Sequence, residues 1–231
     1  DRDLREAQRL QQGLVRERHG VFGDFDLSLL MRPAGHIGGD LVGFFPINAR
    51  RVGLFALDVS GHGIASALLS ARLAALLSGA TDHNIALRIT DLGLYDARPP
   101  LEILHELNAL MITELRTDSY FTMVYADLDF LSGEVRLVQA GHPHPVLQRA
   151  DGRIERIGRG GLPVGVFASA EYEEVVLTLQ AGDRLFIASD GLTETENPRG
   201  EALGEDGLQA ILHTNATLRG DALLESICWS A

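Results

Sequence analysis

The chain has 231 residues, with 20 Lys or Arg, 32 Asp or Glu and a net charge of −12. This length can bury a sizeable core, and the acidic balance argues against binding nucleic acid or anionic lipid, which requires clustered basic residues. The single cysteine, Cys228, excludes an intramolecular disulfide and fits a reducing compartment. Because no apolar run is long enough to span a bilayer, we expect a cytoplasmic protein.

The first segment predicts an amphipathic helix over residues 3–15. Its apolar stripe at helical spacing consists of Leu4, Ala7, Leu10 and Leu14. Two interpretations stay open: a surface helix packed on its own domain, and a connector from an upstream regulatory domain, whose stripe could also form a homodimer. Because the chain starts without Met inside a helical pattern, we expect a piece of a longer protein. Residues 1–17 would be a linker or regulatory helix, and residues 18–231 the main domain.

The remaining elements come in separate blocks of strands and helices. Strands rich in β-branched and aromatic residues are predicted at 25–34, 40–47, 52–59, 121–141, 145–157, 173–179 and 184–191. Helices are predicted at 63–77, 100–115, 205–212 and 221–229, with a polar, irregular loop at 79–100. This segregation favours one α+β domain with antiparallel sheets over alternating βαβ units.

Three aspartates stand at the ends of apolar strands. Asp40 ends "GGD", Asp58 begins "DVSGHG" and Asp190 begins the Asp-Gly pair of "RLFIASDG". Folding the chain back at the "NARR" turn predicts that Asp40 lies opposite Val59 and that Leu41 lies opposite Asp58. Clustered carboxylates repel one another unless they are protonated or bind a metal. Because the ligands are oxygens, the predicted ion is Mg²⁺ or Mn²⁺.

Other interpretations of these motifs are simpler. A single Asp-Gly at a strand end is usually just a turn, and a zinc site is conceivable because several histidines lie near glycines or prolines: His36, His62, His142 and His144. No H-x-x-x-H pattern or cysteine pair supports zinc. His62 could contact a phosphate or a metal-bound water, or be an ordinary loop histidine. "SGHGIAS" could form an anion site at a helix N-terminus, or Ser60 could be a plain N-cap.

The ordered motifs carry a resemblance over nearly the whole chain. They are "PAGHIGGDLVGFF", "LFALDVSGHGIASALLSA", "LVQAGHPHPVL", "LPVGV" and "GDRLFIASDGLTETENPRGEALGEDGL". In this order they resemble the SpoIIE/RsbU-like branch of the PPM phosphatases, which are metal-dependent protein serine/threonine phosphatases of the protein phosphatase 2C type. "AQRLQQGL" near the start also resembles the family's segment that links sensor domains to the phosphatase core. The resemblance implies a four-layer sandwich of two antiparallel β-sheets flanked by α-helices, here a PPM-type phosphatase domain over residues 18–231.

The resemblance also implies a site and a reaction. Asp58 would bridge two Mn²⁺ or Mg²⁺ ions, Asp40 and the backbone carbonyl of Val59 would complete one site, and Asp190 would hold the other. Water activated between the ions would hydrolyse phosphoserine or phosphothreonine in line, without a phosphoenzyme. The implied substrate is a phosphorylated anti-sigma-factor antagonist in a partner-switching pathway, under the control of an upstream sensor or receiver domain.

Several positions depart from the family pattern. His36 and Gly43 stand where the family often has Glu and Asp, and Ser60 stands where eukaryotic members have His. The family's further C-terminal Asp is not found before Ala231, and three explanations stay open: a truncated C-terminal end, disorder, or true loss of the residue. The departures keep open an inactive, phosphatase-like adaptor that binds a regulatory protein. A nucleotide cyclase hairpin built on "GGD" is disfavoured, because "GGDLVG" lacks the acidic and aromatic residues that continue such sites.

Overall fold

The computed structural model describes residues 2–15, 17–32, 38–78, 83–115 and 118–231. The strands are β1 His19–Phe22, β2 Phe25–Ser28, β3 Leu41–Pro46, β4 Arg51–Val59, β5 Leu87–Ile89, β6 Tyr95–Ala97, β7 Phe121–Asp129, β8 Glu134–Ala140, β9 Val146–Gln148, β10 Ile154–Arg156, β11 Glu174–Thr178 and β12 Arg184–Phe186. The helices are α1 Arg2–Gln12, α2 Ile64–Leu76, α3 Pro100–Ala109, α4 Asp190–Thr193, α5 Gly204–Thr214 and α6 Gly220–Ser230. A π-helical segment, Leu110–Leu115, extends α3.

Two antiparallel sheets form the centre of the fold. The main sheet has five strands in the order β11-β8-β7-β4-β3, and the second sheet has three in the order β10-β9-β12. Two separate hairpins, β1-β2 and β5-β6, flank them. The pairing of sequence neighbours explains why the strand blocks of the sequence produce antiparallel sheets.

Three apolar clusters separate four layers. The first joins Leu57 of the main sheet to Leu73 of α2 and Ile103 of α3. The second lies between the sheets and includes Val52, Val124, Ala126, Leu137 and Leu147. The third packs the second sheet against α5 and α6 and includes Val146, Leu208, Ile211, Leu223 and Ile227. The order is therefore helices, main sheet, second sheet, helices, which confirms the predicted four-layer α+β sandwich.

The hairpin register differs by one residue from the predicted register. Leu41 lies opposite Leu57, not Asp58, and Pro46 lies opposite Val52. The turn is therefore centred on Ala49. The Asn48 side chain explains why the turn is centred there. Its Oδ1 accepts hydrogen bonds from the backbone N–H groups of Arg50 and Arg51 at 2.9 and 3.0 Å and so sets the turn geometry.

Three local predictions were also wrong. The loop predicted at 79–100 contains the β5-β6 hairpin, although residues 79–82 lie outside the described residues. The last predicted strand stops at Phe186, and Asp190 is the first residue of α4 instead of a strand end. An additional strand, β1, pairs with β2. These elements are short, and tertiary packing outweighs their weak local signals.

Across the part of the chain that the structure describes, no helix has the length and apolar character required to cross a membrane.

Candidate metal centre

Asp40 and Asp58 lie on the same face of the main sheet. Continuing the observed register by one residue beyond β3 places Asp40 opposite Asp58, and directly opposed residues point to the same side of a sheet. Alternation along β4 puts Asp58 on the side of Val52 and Leu54, which pack in the cluster between the two sheets. The carboxylates therefore lie at one end of the gap between the sheets.

Gly39 lets the two chain segments approach closely enough for this pairing. The backbone N–H of Val59 donates to the Gly39 carbonyl at 3.3 Å, and the Ser70 hydroxyl of α2 donates to the same oxygen at 2.6 Å. A Cβ atom on Gly39 would lie only 2.2 Å from the carbonyl oxygen of Val59. The Val59 carbonyl, which was predicted as a ligand, therefore lies beside the residue that precedes Asp40.

Asp190 reaches the same site from the second sheet. It begins α4 directly after the N-cap residue Ser189. The Ser189 hydroxyl hydrogen-bonds the Asp40 carboxylate and lowers its pKa, but burial and, second, the charge of Asp190 outweigh this effect and raise the pKa of Asp40. The contact shows that the two sheets bring Asp40 and Asp190 together.

The electrostatics of the site are those of several carboxylates gathered in one place. Burial raises the pKa of Asp58 to about 6, and the charges of Asp40, Asp190 and Glu194 add to the rise. Glu194 closes α4 as its C-cap residue. The sequence analysis missed Glu194, although its place four residues after Asp190, on a short helix, was a usable signal.

The donor set fits a hard divalent cation. The Oδ1 atom of Asp40 is buried and has no hydrogen-bond partner among the residues that the structure describes, which is a costly arrangement for a carboxylate unless a cation binds it. Among the described residues, however, no group of three His, Cys, Asp or Glu side chains is gathered closely enough to hold a metal as it stands. The oxygen ligands fit Mg²⁺ or Mn²⁺, and the carboxylates would draw closer together on binding.

His142 is a buried neighbour of the site. From the sequence it was placed in a loop and counted among the histidines of a conceivable zinc site. Burial lowers its pKa to about 4, although the Asp190 charge acts in the opposite direction. Its Nδ1 atom lies 3.0 Å from the hydroxyl of Thr122, and Thr122 is the cross-strand partner of Asp58. The only signal for it in the sequence was its place in the "AGHPHP" segment.

The loop after Asp58 shows that the predicted N-cap role of Ser60 was wrong, whereas an anion site at the start of α2 stays a prediction. Gly63, not Ser60, is the N-cap of α2, and it makes no side-chain capping hydrogen bond. The Ser60 hydroxyl instead accepts a hydrogen bond from the backbone N–H of Tyr120 at 3.0 Å, and the Ser60 N–H donates to the Tyr120 carbonyl at 2.8 Å. His62 is exposed in this loop, and His36 lies outside the described residues.

Comparison with known proteins agrees with this arrangement. The family profile described as Stage II sporulation protein E (SpoIIE) matches residues 48–230. The phosphoserine phosphatase RsbP of Bacillus subtilis (strain 168) is 26% identical over 193 residues, which cover 84% of this chain and 45% of that protein. The chain thus spans less than half the length of this relative.

Solved structures share the fold. The SiaA-PP2C domain of Pseudomonas aeruginosa superposes with a TM-score of 0.73 at 18% identity, covering 99% of this chain and 86% of that chain. RsbX, solved in complex with magnesium, superposes with a TM-score of 0.55 at 18% identity, covering 84% and 78% of the two chains. Since the family profile matches most of its length, this chain belongs to the SpoIIE family of PPM phosphatase domains.

Proposed function

We propose that the chain is a metal-dependent protein serine/threonine phosphatase that hydrolyses phosphoserine or phosphothreonine on a protein substrate. The observation that carries the proposal is the convergence of Asp40, Asp58 and Asp190 from two sheets at one end of the gap between them. A fold needs no such cluster for its own stability, because each charge makes the ionisation of the others less favourable. The name of RsbP, a phosphoserine phosphatase, supports the reaction class.

The proposed ligands are Asp40, Asp58, Asp190 and the Val59 backbone carbonyl, holding two Mn²⁺ or Mg²⁺ ions with Asp58 between them. When bound, such ions polarise a phosphoryl group and lower the pKa of water. The chain contributes the geometry. The main sheet fixes Asp40 and Asp58, and α4 presents Asp190 from the opposite side. Binding a cation would offset the burial and the neighbouring negative charges that together raise the pKa of Asp58.

The proposed setting is the output domain of a bacterial signalling protein. The substrate would be a phosphorylated anti-sigma-factor antagonist in a partner-switching pathway, and an upstream sensor or receiver domain would control activity. In this proposal residues 1–17 form the regulatory helix and residues 18–231 the phosphatase domain. The contact between Gln11 of α1 and the backbone of Gly38, close to Asp40, supports a regulatory role for this helix.

A second candidate is an inactive adaptor that binds a regulatory partner without catalysis. One observation favours it: among the described residues, no three His, Cys, Asp or Glu side chains lie close enough together to coordinate one metal ion. The buried, unpartnered Oδ1 of Asp40 argues for the enzyme, because an adaptor gains nothing from that arrangement.

Turnover distinguishes the two candidates. p-Nitrophenyl phosphate and a phosphoserine peptide are each incubated with the protein in Mn²⁺, in Mg²⁺ and in excess chelator. The proposal predicts hydrolysis that requires the divalent cation and is lost in chelator. Metal binding measured by calorimetry without any turnover would support the adaptor. Hydrolysis that continues in chelator would contradict the metal-dependent mechanism.

A further inference from the structure

The imidazole of His142 lies between the two sheets that carry the carboxylates. On the side of the main sheet, its Nδ1 is 3.0 Å from the hydroxyl of Thr122, the residue paired with Asp58. On the side of the second sheet, the Ala188 backbone and the Asp190 carboxylate both act to raise its pKa, so both lie beside the ring. The ring therefore spans the gap between Thr122, which pairs with the predicted ligand Asp58, and the segment that carries the predicted ligand Asp190.

The ring is held in this place by its surroundings. His142 is only 3% exposed, and the buried side chain of Gln139 donates from Nε2 to its carbonyl oxygen at 2.6 Å. The Oε1 atom of Gln139 accepts from the backbone N–H of Gly160 at 2.8 Å. A buried amide that uses both ends on loop backbone restricts the movement of both loops. The backbone that carries the His142 ring is thus held to β8.

The hydrogen-bond partners define the state of the ring. Burial keeps the pKa of His142 near 4, so the imidazole is neutral at pH 7, with one N–H and one lone pair. In the tautomer in which the Thr122 hydroxyl donates to Nδ1, the ring proton lies on Nε2. Among the described residues Nε2 has no hydrogen-bond partner, so the link from the ring to the Ala188 side is looser than its link to Thr122.

We propose that His142 is a positioning residue that sets the separation between Asp58 and Asp190, acting through Thr122 on one side and the backbone before Asp190 on the other. The inference rests on the proposed function, because the separation matters only if both carboxylates bind metal. Groups that orient metal ligands without touching the ion typically change metal affinity about 10–100-fold when they are removed.

The first test compares Thr122→Val with Thr122→Ser. Valine removes the hydroxyl with little change in shape, whereas serine retains it. Thr178→Val is the matched control, because Thr178 is an exposed residue on β11 of the same sheet. Calorimetric titration with Mn²⁺ in the absence of substrate is expected to give about tenfold weaker binding for Thr122→Val. The other two variants should bind as the wild type does.

The second variant is His142→Asn, whose shorter amide keeps a polar atom near the position of Nδ1 but cannot reach Ala188. It should weaken Mn²⁺ binding while thermal unfolding in chelator reports whether the fold persists. Wild-type affinity in both Thr122→Val and His142→Asn would overturn the positioning role, and so would an equal loss in Thr178→Val. If the wild-type chain binds no Mn²⁺, the proposed function falls, and this inference falls with it.

Discussion

The side chain of Gln11 in α1 hydrogen-bonds both polar groups of the Gly38 backbone, donating from Nε2 to the carbonyl and accepting at Oε1 from the N–H at 3.1 Å. Gln11 is buried, and Gly38 lies two residues before Asp40. The α1 helix therefore holds the backbone of the "GGD" segment directly.

Replacing Gln11 should alter the metal requirement. Gln11→Ala removes both hydrogen bonds to the half-buried Gly38 backbone, at a cost of about 0.5–1.5 kcal/mol for each, and loosens the segment before Asp40. We expect the Mn²⁺ concentration for half-maximal activity to rise about tenfold. Gln12→Ala is the control, because Gln12 is the exposed neighbour on the same helix.

The larger form of this experiment deletes residues 1–15. A regulatory helix should change either the rate or the Mn²⁺ dependence when it is removed. Unchanged values for both would leave α1 as a packing element, since Leu14 and Val15 also contact the core.

The apolar stripe of α1 could also form a homodimer interface. Its residue Leu10 is 72% exposed, so Leu10→Ser tests dimerisation, which sedimentation measures. A dimer that persists in this variant would argue against the stripe as the interface.

Adjacent glycines should respond differently to the same substitution. A Cβ at Gly39 would lie 2.2 Å from the Val59 carbonyl oxygen, whereas a Cβ at Gly38 meets nothing within 4 Å. Gly39→Ala must push the two strands apart, and overpacking of this kind costs about 1–3 kcal/mol. Thermal unfolding and Mn²⁺ titration should both be impaired in Gly39→Ala and nearly normal in Gly38→Ala. Equal behaviour of the two variants would contradict the close approach.

Asp58→Asn should remove activity without damaging the fold. The substitution deletes the proposed bridging ligand, so phosphatase turnover should fall by more than about a hundredfold, beyond the range typical of outer partners of a metal site. It also removes one charge from a repelling cluster, so the metal-free variant should be at least as stable as the wild type. Turnover near the wild-type rate in Mn²⁺ would show that Asp58 is not the bridge.

The contribution of Asp58 to the stability of the metal-free protein should fall as the pH rises from about 4 to about 6. The pKa of Asp58 is raised from 3.8 to about 6 in the folded state, so in this range its carboxyl group binds more protons in the folded chain than in the unfolded chain. This contribution to the free energy of unfolding therefore falls as pH increases, whereas buried His142, whose pKa is lowered to about 4, contributes in the opposite direction in both proteins. Chemical denaturation in chelator at pH 4 and pH 7, compared between wild type and Asp58→Asn, isolates this contribution. The stability advantage of the variant should be larger at pH 7.

Adding Mn²⁺ provides the complementary measurement. A cation that binds the ionised carboxylates stabilises the folded state by mass action, and its effect should be greatest where Asp58 is ionised, above pH 6. The wild-type unfolding temperature should rise with Mn²⁺ at pH 7 and respond little at pH 4. A shift of the same size in Asp58→Asn would place the bound ion elsewhere.

The sequence by itself determined the class of fold and most of the elements. Composition and apolar spacing placed the hairpin strands β7 and β8 and the helices α2, α3, α5 and α6, because these elements are long enough to carry a clear local signal. For α2 that signal was a run of Ala, Leu, Ile and Ser that is typical of a buried helix. Ordered motifs around Asp40, Asp58 and Asp190 predicted the family, which the comparison confirmed. Their role as metal ligands remains a prediction.

Only the tertiary structure decided how these residues meet. The pairing of Asp40 with Asp58 depends on a turn centred on Ala49, which the Asn48 side chain selects by hydrogen bonds that no hydrophobic pattern encodes. The places of Glu194 and His142 depend on packing one sheet against another, a contact between segments far apart in the chain. A one-residue change of register reverses which face a strand side chain occupies, so local sequence could bring the carboxylates near one another but could not set their geometry.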